Sequence, residues 1–394
     1  MATTALPSVR VPLDHPLRKA GPRALVVGLV ALAICGLWAI FDPQQAVRSY
    51  LIGYLLWLGI ALGSLAILSI HHIAGGAWGA VIRRPLEAAT RTLPLLALLF
   101  VPIALGVGLL YEWAHPGVVA EDPILAEKAA YLNVPFFLVR AVIYFAIWLL
   151  IALLMNRWSI EQDVAGDPRT TRRLEMLSRA TLLAYGLTVT FAAIDWVMSL
   201  EPHWFSMIFG LLVMGSQGLS AFAFAIPVLV VLMSTLQLDS AVRPQQLRDL
   251  GSFLLAFIMI WAYLALSQLL IIWSANIPEE ISWYLRRSIG GWRWVATFLV
   301  VFHFALPFLV LLSRNAKQRG VILAAVGLWL IFGRWVEILW LVAPSYETNG
   351  FSLHLLDILA PIAIGGVWIW FYLIHLARHA VVPVYDPAFA EEEA

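Results

Sequence analysis

The sequence predicts an all-α, polytopic membrane protein with ten transmembrane helices, and three observations carry this. Of the 394 residues, 62% are hydrophobic and 12% are charged, against about 45–50% and about 25% in soluble domains. Apolar runs of roughly 18 or more residues, long enough to cross a hydrocarbon core, recur along the whole chain. Lysine and arginine gather in alternate loops between those runs, as in a chain that crosses repeatedly. The same composition excludes a water-soluble globular domain, a disordered chain and a collagen. The single cysteine, Cys35, excludes an intrachain disulfide, a cysteine-ligated iron–sulfur cluster and a CxxCH haem attachment. A formal net charge of +1 gives no basis for nucleic-acid binding.

Taken in order, the first two spans read as about 24–41 and 47–70. The second carries Gly59 and Gly63, a GxxxG spacing that lets another helix approach closely. Spans three to five fall at about 92–112, 134–156 and 175–199, each closed by charged or aromatic residues. Spans six and seven cover 204–236 and 249–275, and the last three about 294–313, 320–343 and 353–377. The chain then divides into an N-terminal segment (1–23), a ten-helix domain (24–378) and an acidic tail (379–394) ending in Glu391, Glu392 and Glu393. Long loops follow span three (about 113–133) and span seven (about 276–293), four spans apart. That spacing predicts two parallel four-helix bundles, spans 2–5 and 6–9, with spans 1 and 10 peripheral.

Eighteen of the 25 basic residues lie on the side of the termini. Five, Arg48, Lys128, Arg286, Arg287 and Arg293, lie in the opposite loops, and Arg140 and Arg334 lie within spans. Both termini are therefore expected in the cytoplasm. The first apolar run follows a long polar stretch and lacks a small-x-small site, so no cleavable signal peptide is expected. Trp113, Trp196, Trp204, Trp273, Trp283, Trp292, Trp294 and Trp340 fall near the exterior ends, where an amphipathic ring prefers to sit.

Ionisable groups inside membrane helices cost at least a few kcal/mol and point to function. Here they are Arg140 in span four, Asp195 in span five, Arg334 and Glu337 in span nine and Asp357 in span ten. By helix direction all five fall in the outer half of the membrane, with Glu201 and His203 near the same face. Arg334 and Glu337 are spaced i,i+3 and share a helix face, as a structural ion pair or as part of a proton path. Asp195, Glu201 and His203 crowd the turn between spans five and six; carboxylates and imidazoles pass protons through water because their pKa values move readily. His303 is the only histidine near mid-depth, so paired histidines for haem ligation are missing. On the cytoplasmic side, His71, His72 and Glu87 belong to a Gly- and Arg-containing segment, 71–87, that reads as interfacial. It could bind a lipid head group, cap span two or offer protons, with lipid or partner contact favoured. No metal site is expected, and no catalytic residue of a soluble-enzyme type stands out.

Two stretches, HHIAGGAWGAVIRRPLEAATRTLPLLALLFVP (71–102) and DWVMSLEPHWFSMIFG (195–210), resemble the F subunits (ActF) of bacterial Alternative Complex III, which belong with the NrfD/PsrC-like membrane proteins. With the span count, the resemblance covers essentially the whole chain. It implies a multi-pass subunit of the bacterial cytoplasmic (inner) membrane, in a quinol:electron-acceptor oxidoreductase that oxidises menaquinol or ubiquinol. It also implies that haem c and iron–sulfur clusters sit in partner subunits, a multihaem cytochrome among them, and that an ActC-like membrane subunit is the neighbour. Subunits of this kind are named quinone-binding subunit 2, while the better-supported quinol site of the family lies in the C subunit. For this chain the resemblance implies a proton half-channel, with Asp195, Arg334, Glu337 and Asp357 on its exterior part and Glu201 and His203 at its mouth. Two other readings stay open: an NrfD-like anchor of a different oxidoreductase, and a secondary transporter, which calls for helices interrupted near residues such as Pro227 and Pro307.

Overall fold

Several long helices begin with a side-chain acceptor followed by proline. Asp42, Asn133 and Asp167 accept backbone N–H groups of Gln45, Phe136 and Arg169 in the first turns they open, satisfying donors that a helix start leaves unbonded. A computed structural model describes residues 9–12, 14–236, 242–347, 350–383 and 385–386. Ten helices are long and apolar enough to cross a membrane. They are α1 (Pro16–Phe41), α2 (Pro43–Ala74), α3 (Ala77–Leu105), α4 (Val134–Ala165), α5 (Pro168–Trp196), α6 (Phe209–Leu236), α7 (Pro244–Ala275), α8 (Trp292–Leu312), α9 (Gly320–Val342) and α10 (Leu355–Leu376). No β-strand occurs among the described residues. The all-α, multi-pass architecture read from the sequence is the one observed.

Helices α2–α5 close one ring of neighbours and α6–α9 a second, and the two rings meet through α2 and α6, with α5 also against α6 and α9 also against α2. Each helix of the first bundle thus has a counterpart four helices later. The α2–α6 seam is tight because Gly63 lacks a side chain: a Cβ there would lie 1.9 Å from the Gln217 carbonyl oxygen, so the close-approach reading of this glycine holds. Helices α1 and α10 pack on each other and on α2, outside both rings. The first and last described stretches lie at one end, where the Val381 N–H donates to the Val9 carbonyl at 2.8 Å. The acidic residues Glu391–Glu393 lie outside the described residues.

Three sequence expectations need correction. The third membrane helix begins at Ala77 rather than near 92, because Arg83, Arg84 and Glu87 cancel one another inside the fold instead of standing at an interface. Trp113, Trp196, Trp204, Trp283 and Trp292 are buried at 3% exposure or less, whereas Trp273 and Trp294 remain exposed; the buried rings pack the core near the exterior ends, Trp204 stacking on Trp283 at 4.7 Å. Helix α6 runs unbroken through Pro227. The interruptions fall instead in α3, which is divided near Thr92 and at Phe100 close to Pro94 and Pro102, and in α8, which is π-helical over Leu299–Ala305 just before Pro307.

Candidate functional site

Both bundles enclose buried charged residues. In the first, Asp195 on the last turn of α5 is fully buried. Arg140 of α4 grips it with two N–H groups at 2.8 and 2.9 Å, and Tyr144, one turn along the same helix, donates its hydroxyl at 2.8 Å. The remaining Arg140 NH1 donates to the Tyr131 carbonyl at 2.9 Å, and the Tyr131 and Phe136 rings cover the guanidinium at 3.8 and 4.3 Å. This is a two-pronged pair with its donors spent.

In the second bundle, all four helices contribute. Glu337 of α9 accepts from the Trp261 indole of α7 at 2.8 Å and from the Ser216 hydroxyl of α6 at 3.1 Å on one oxygen. Its other oxygen pairs with Arg334 at 2.6 Å, as the i,i+3 spacing predicts. His303, on the π-helical turn of α8, is fully buried and meets the Trp261 ring edge-on at 4.8 Å. Among the described residues neither of its ring nitrogens has a hydrogen-bond partner, nor has Nε of Arg334. Gly333 makes room for the imidazole, since a Cβ there would lie 2.1 Å from its Nδ1. Arg334 also borders a cavity of about 30 Å³ between the bundles, lined by Gln217, Trp196 and aliphatic side chains. That volume holds a water molecule.

The other exterior candidates form separate pairs. Glu201 accepts from Arg287 at 2.7 Å and Ser345 at 2.9 Å, and Arg286 lies at 3.4 Å. Arg287 is a buried clamp that also donates to the carbonyls of Trp283, Trp340 and Leu341; burial lowers its pKa to about 10, with the Glu201 carboxylate opposing the fall. His203 meets Asp122 at 2.5 Å on the exposed side of the turn, and this bond pulls the Asp122 carboxyl below its ordinary range. Asp357 accepts from Ser49 of α2 at 2.6 Å and from its own helix start at His354. Among the described residues no hydrogen bond links the Asp195, Glu337, Glu201, His203 and Asp357 side chains to one another.

At the end that carries Val9 and Val381, the charged residues of the segment 71–87 are turned inward. Arg83 donates to Glu87 at 2.9 Å, Asp386 at 2.8 Å and Ser159 at 2.8 Å. Arg84 pairs with Glu87 at 2.5 Å and with Asp163, and His71 lies 3.3 Å from Asp386. Arg83, Arg84 and Glu87 are 1–3% exposed and out of reach of head groups. His72 sits beside His71, with ring centroids 5.4 Å apart.

Sequence reasoning missed Trp261, Arg287, Ser159, Asp163 and Asp386. Only the i,i+3 and i,i+4 spacing of Glu87 from Arg84 and Arg83 signalled that this charge was self-paired. Among the described residues no group of three or more His, Cys, Asp or Glu side chains could hold a metal ion. Comparison with models of known protein families finds no match, and comparison with curated proteins finds none.

Proposed function

We propose that this chain is a membrane subunit of a quinol:electron-acceptor oxidoreductase of the Alternative Complex III type. In this reading it packs against an ActC-like partner and offers a proton half-channel through its second bundle. One observation supports the proton role above the others: the second cluster keeps buried, ionisable side chains with unpartnered nitrogens beside a water-sized cavity. Buried polar atoms are bonded in the great majority of cases, and a buried ionisable group in a membrane helix marks a functional site by default.

A neutral imidazole has one N–H and one bare nitrogen, so His303 takes a proton at one side and releases it from the other. Trp261 touches both His303 and Glu337 and holds the two groups in one constellation. Arg334 offsets the ionised carboxylate and faces the cavity, where a water would extend the route toward Gln217. Haem c and iron–sulfur groups belong to partner subunits in this reading, and quinone to the ActC-like partner. A second reading, a transporter, draws on the segmented α3 and the π-helical turn of α8.

The test is isolation of the native complex through this chain in mild detergent, read by mass spectrometry and a haem spectrum. Recovery of a multihaem c-type cytochrome, an iron–sulfur subunit and a second ten-helix protein is expected. A lone, colourless chain overturns the assignment, and a molybdenum-containing partner moves it to another NrfD-like anchor.

A further inference from the structure

Helices α1 and α10 leave a pocket of about 430 Å³ between their ends on the side of the termini. Three guanidinium groups line it, from three separate segments: Arg10 before α1, Arg18 in its first turns and Arg378 just after α10. Two of the three are anchored. Arg10 bridges Ala380, and Arg18 donates to the carbonyls of Val11 at 3.2 Å and Ala377 at 3.1 Å, tying the N-terminal segment to the end of α10.

No residue lining the pocket is acidic, and among the described residues no carboxylate pairs with any of the three. The Nε of Arg18 is buried without a partner. Three cationic side chains line one pocket whose walls carry no carboxylate, a setting that favours an anion. The remaining wall is apolar, with Pro22, Trp370, Leu373 and Ile374. A second, almost wholly apolar groove of about 410 Å³ lies along the same two helices between Val27, Ile362 and Gly365.

We infer that Arg10, Arg18 and Arg378 form a binding site for one anionic diacyl phospholipid. The phosphate takes the Arg18 Nε and the two flanking guanidinium groups, and the acyl chains lie against the α1–α10 seam. Basic pockets between membrane helices bind anionic head groups in this way, and guanidinium suits phosphate because its donors fork. Free phosphate would use the same cations, but it gains nothing from the apolar walls. The site accounts for a basic end to α1 that the buried network of Arg83 and Arg84 leaves unexplained.

The full-length chain in detergent, titrated with phosphatidylglycerol or with phosphatidylcholine of the same acyl length and read by native mass spectrometry, tests this. One equivalent of phosphatidylglycerol should be retained in preference to phosphatidylcholine. The R10Q/R378Q variant should bind phosphatidylglycerol about twenty-fivefold more weakly, at roughly fivefold per basic residue, with phosphatidylcholine unaffected. Neither side chain makes a hydrogen bond or ion pair among the described residues, so the variant should fold. Equal retention of both lipids, an unchanged affinity in the variant, or full displacement by inorganic phosphate overturns the proposal.

Discussion

The two bundles enclose the same kind of chemistry in opposite states. In the first, Asp195 receives three donors, and the Arg140 guanidinium is spent on the carboxylate, a carbonyl and two ring faces. In the second, Glu337 is bonded, but His303 beside it has no partner at either nitrogen, and Arg334 faces a cavity with its Nε bare. A saturated pair holds its protonation state and braces two helices, because moving a proton would break several bonds at once. A half-satisfied cluster on a π-helical turn has groups free to change partners. In the proposed reading the first bundle is braced and the second exchanges protons.

The largest expected effect is structural and falls on the first bundle. Arg140→Gln strands a buried carboxylate and should destabilise the protein by about 3–5 kcal/mol, read as a lower thermal midpoint in detergent. Arg334→Gln also leaves a buried carboxylate without its cation but should cost less than Arg140→Gln, because Glu337 keeps two donors, Trp261 and Ser216, where Asp195 keeps only Tyr144. Equal losses would erase the distinction between the bundles.

His303→Phe should change stability by less than about 1.5 kcal/mol, as a hydrophobic replacement of similar volume with no protein hydrogen bond to lose. A larger loss of thermal midpoint would mean that the imidazole holds the π-helical turn in place. Gly333→Ala, which drives a methyl into the same imidazole, should reproduce whatever proton defect His303→Phe produces.

The smallest effect concerns Glu347, beyond α9 at the end opposite Val9 and Val381. Burial raises its carboxyl above the ordinary value of 4.5, with the Ser352 contacts opposing. An acid whose pKa is raised by folding carries no penalty below its unfolded pKa, and the penalty grows as pH rises through the window up to the folded value. Glu347→Gln should therefore raise the thermal midpoint slightly at neutral pH and leave it unchanged below about pH 4.5. A gain at both pH values would point to packing rather than ionisation.

Much of this was legible in the sequence. Hydropathy and loop charge predict the ten helices, and the loop lengths after spans three and seven anticipate the two rings of neighbours. The Arg334–Glu337 pair follows from helical spacing. The partners of Asp195 did not, because Arg140 lies 55 residues away and only the packing of α4 on α5 brings them together. Asp386 was further out of reach, 303 residues from Arg83, so the segment 71–87 looked interfacial when its charges were already neutralised. His303 was legible as a histidine at mid-depth, but its unpartnered nitrogens depend on Gly333 and Trp261 from two other helices. Arg140, Asp195, Glu201, His203, Arg334, Glu337 and Asp357 read as one layer with His303 deeper; the fold separates these eight into five pairs or clusters, of which the second-bundle cluster alone borders the cavity between the bundles.

The most direct measurement is the number of protons released per electron during quinol oxidation by the complex in sealed membrane vesicles, compared for His303→Phe and Tyr144→Phe. Both variants remove one polar group, one from each bundle. The account predicts a lower ratio for His303→Phe and an unchanged ratio for Tyr144→Phe. An unchanged ratio for His303→Phe, or a fall confined to Tyr144→Phe, would contradict it.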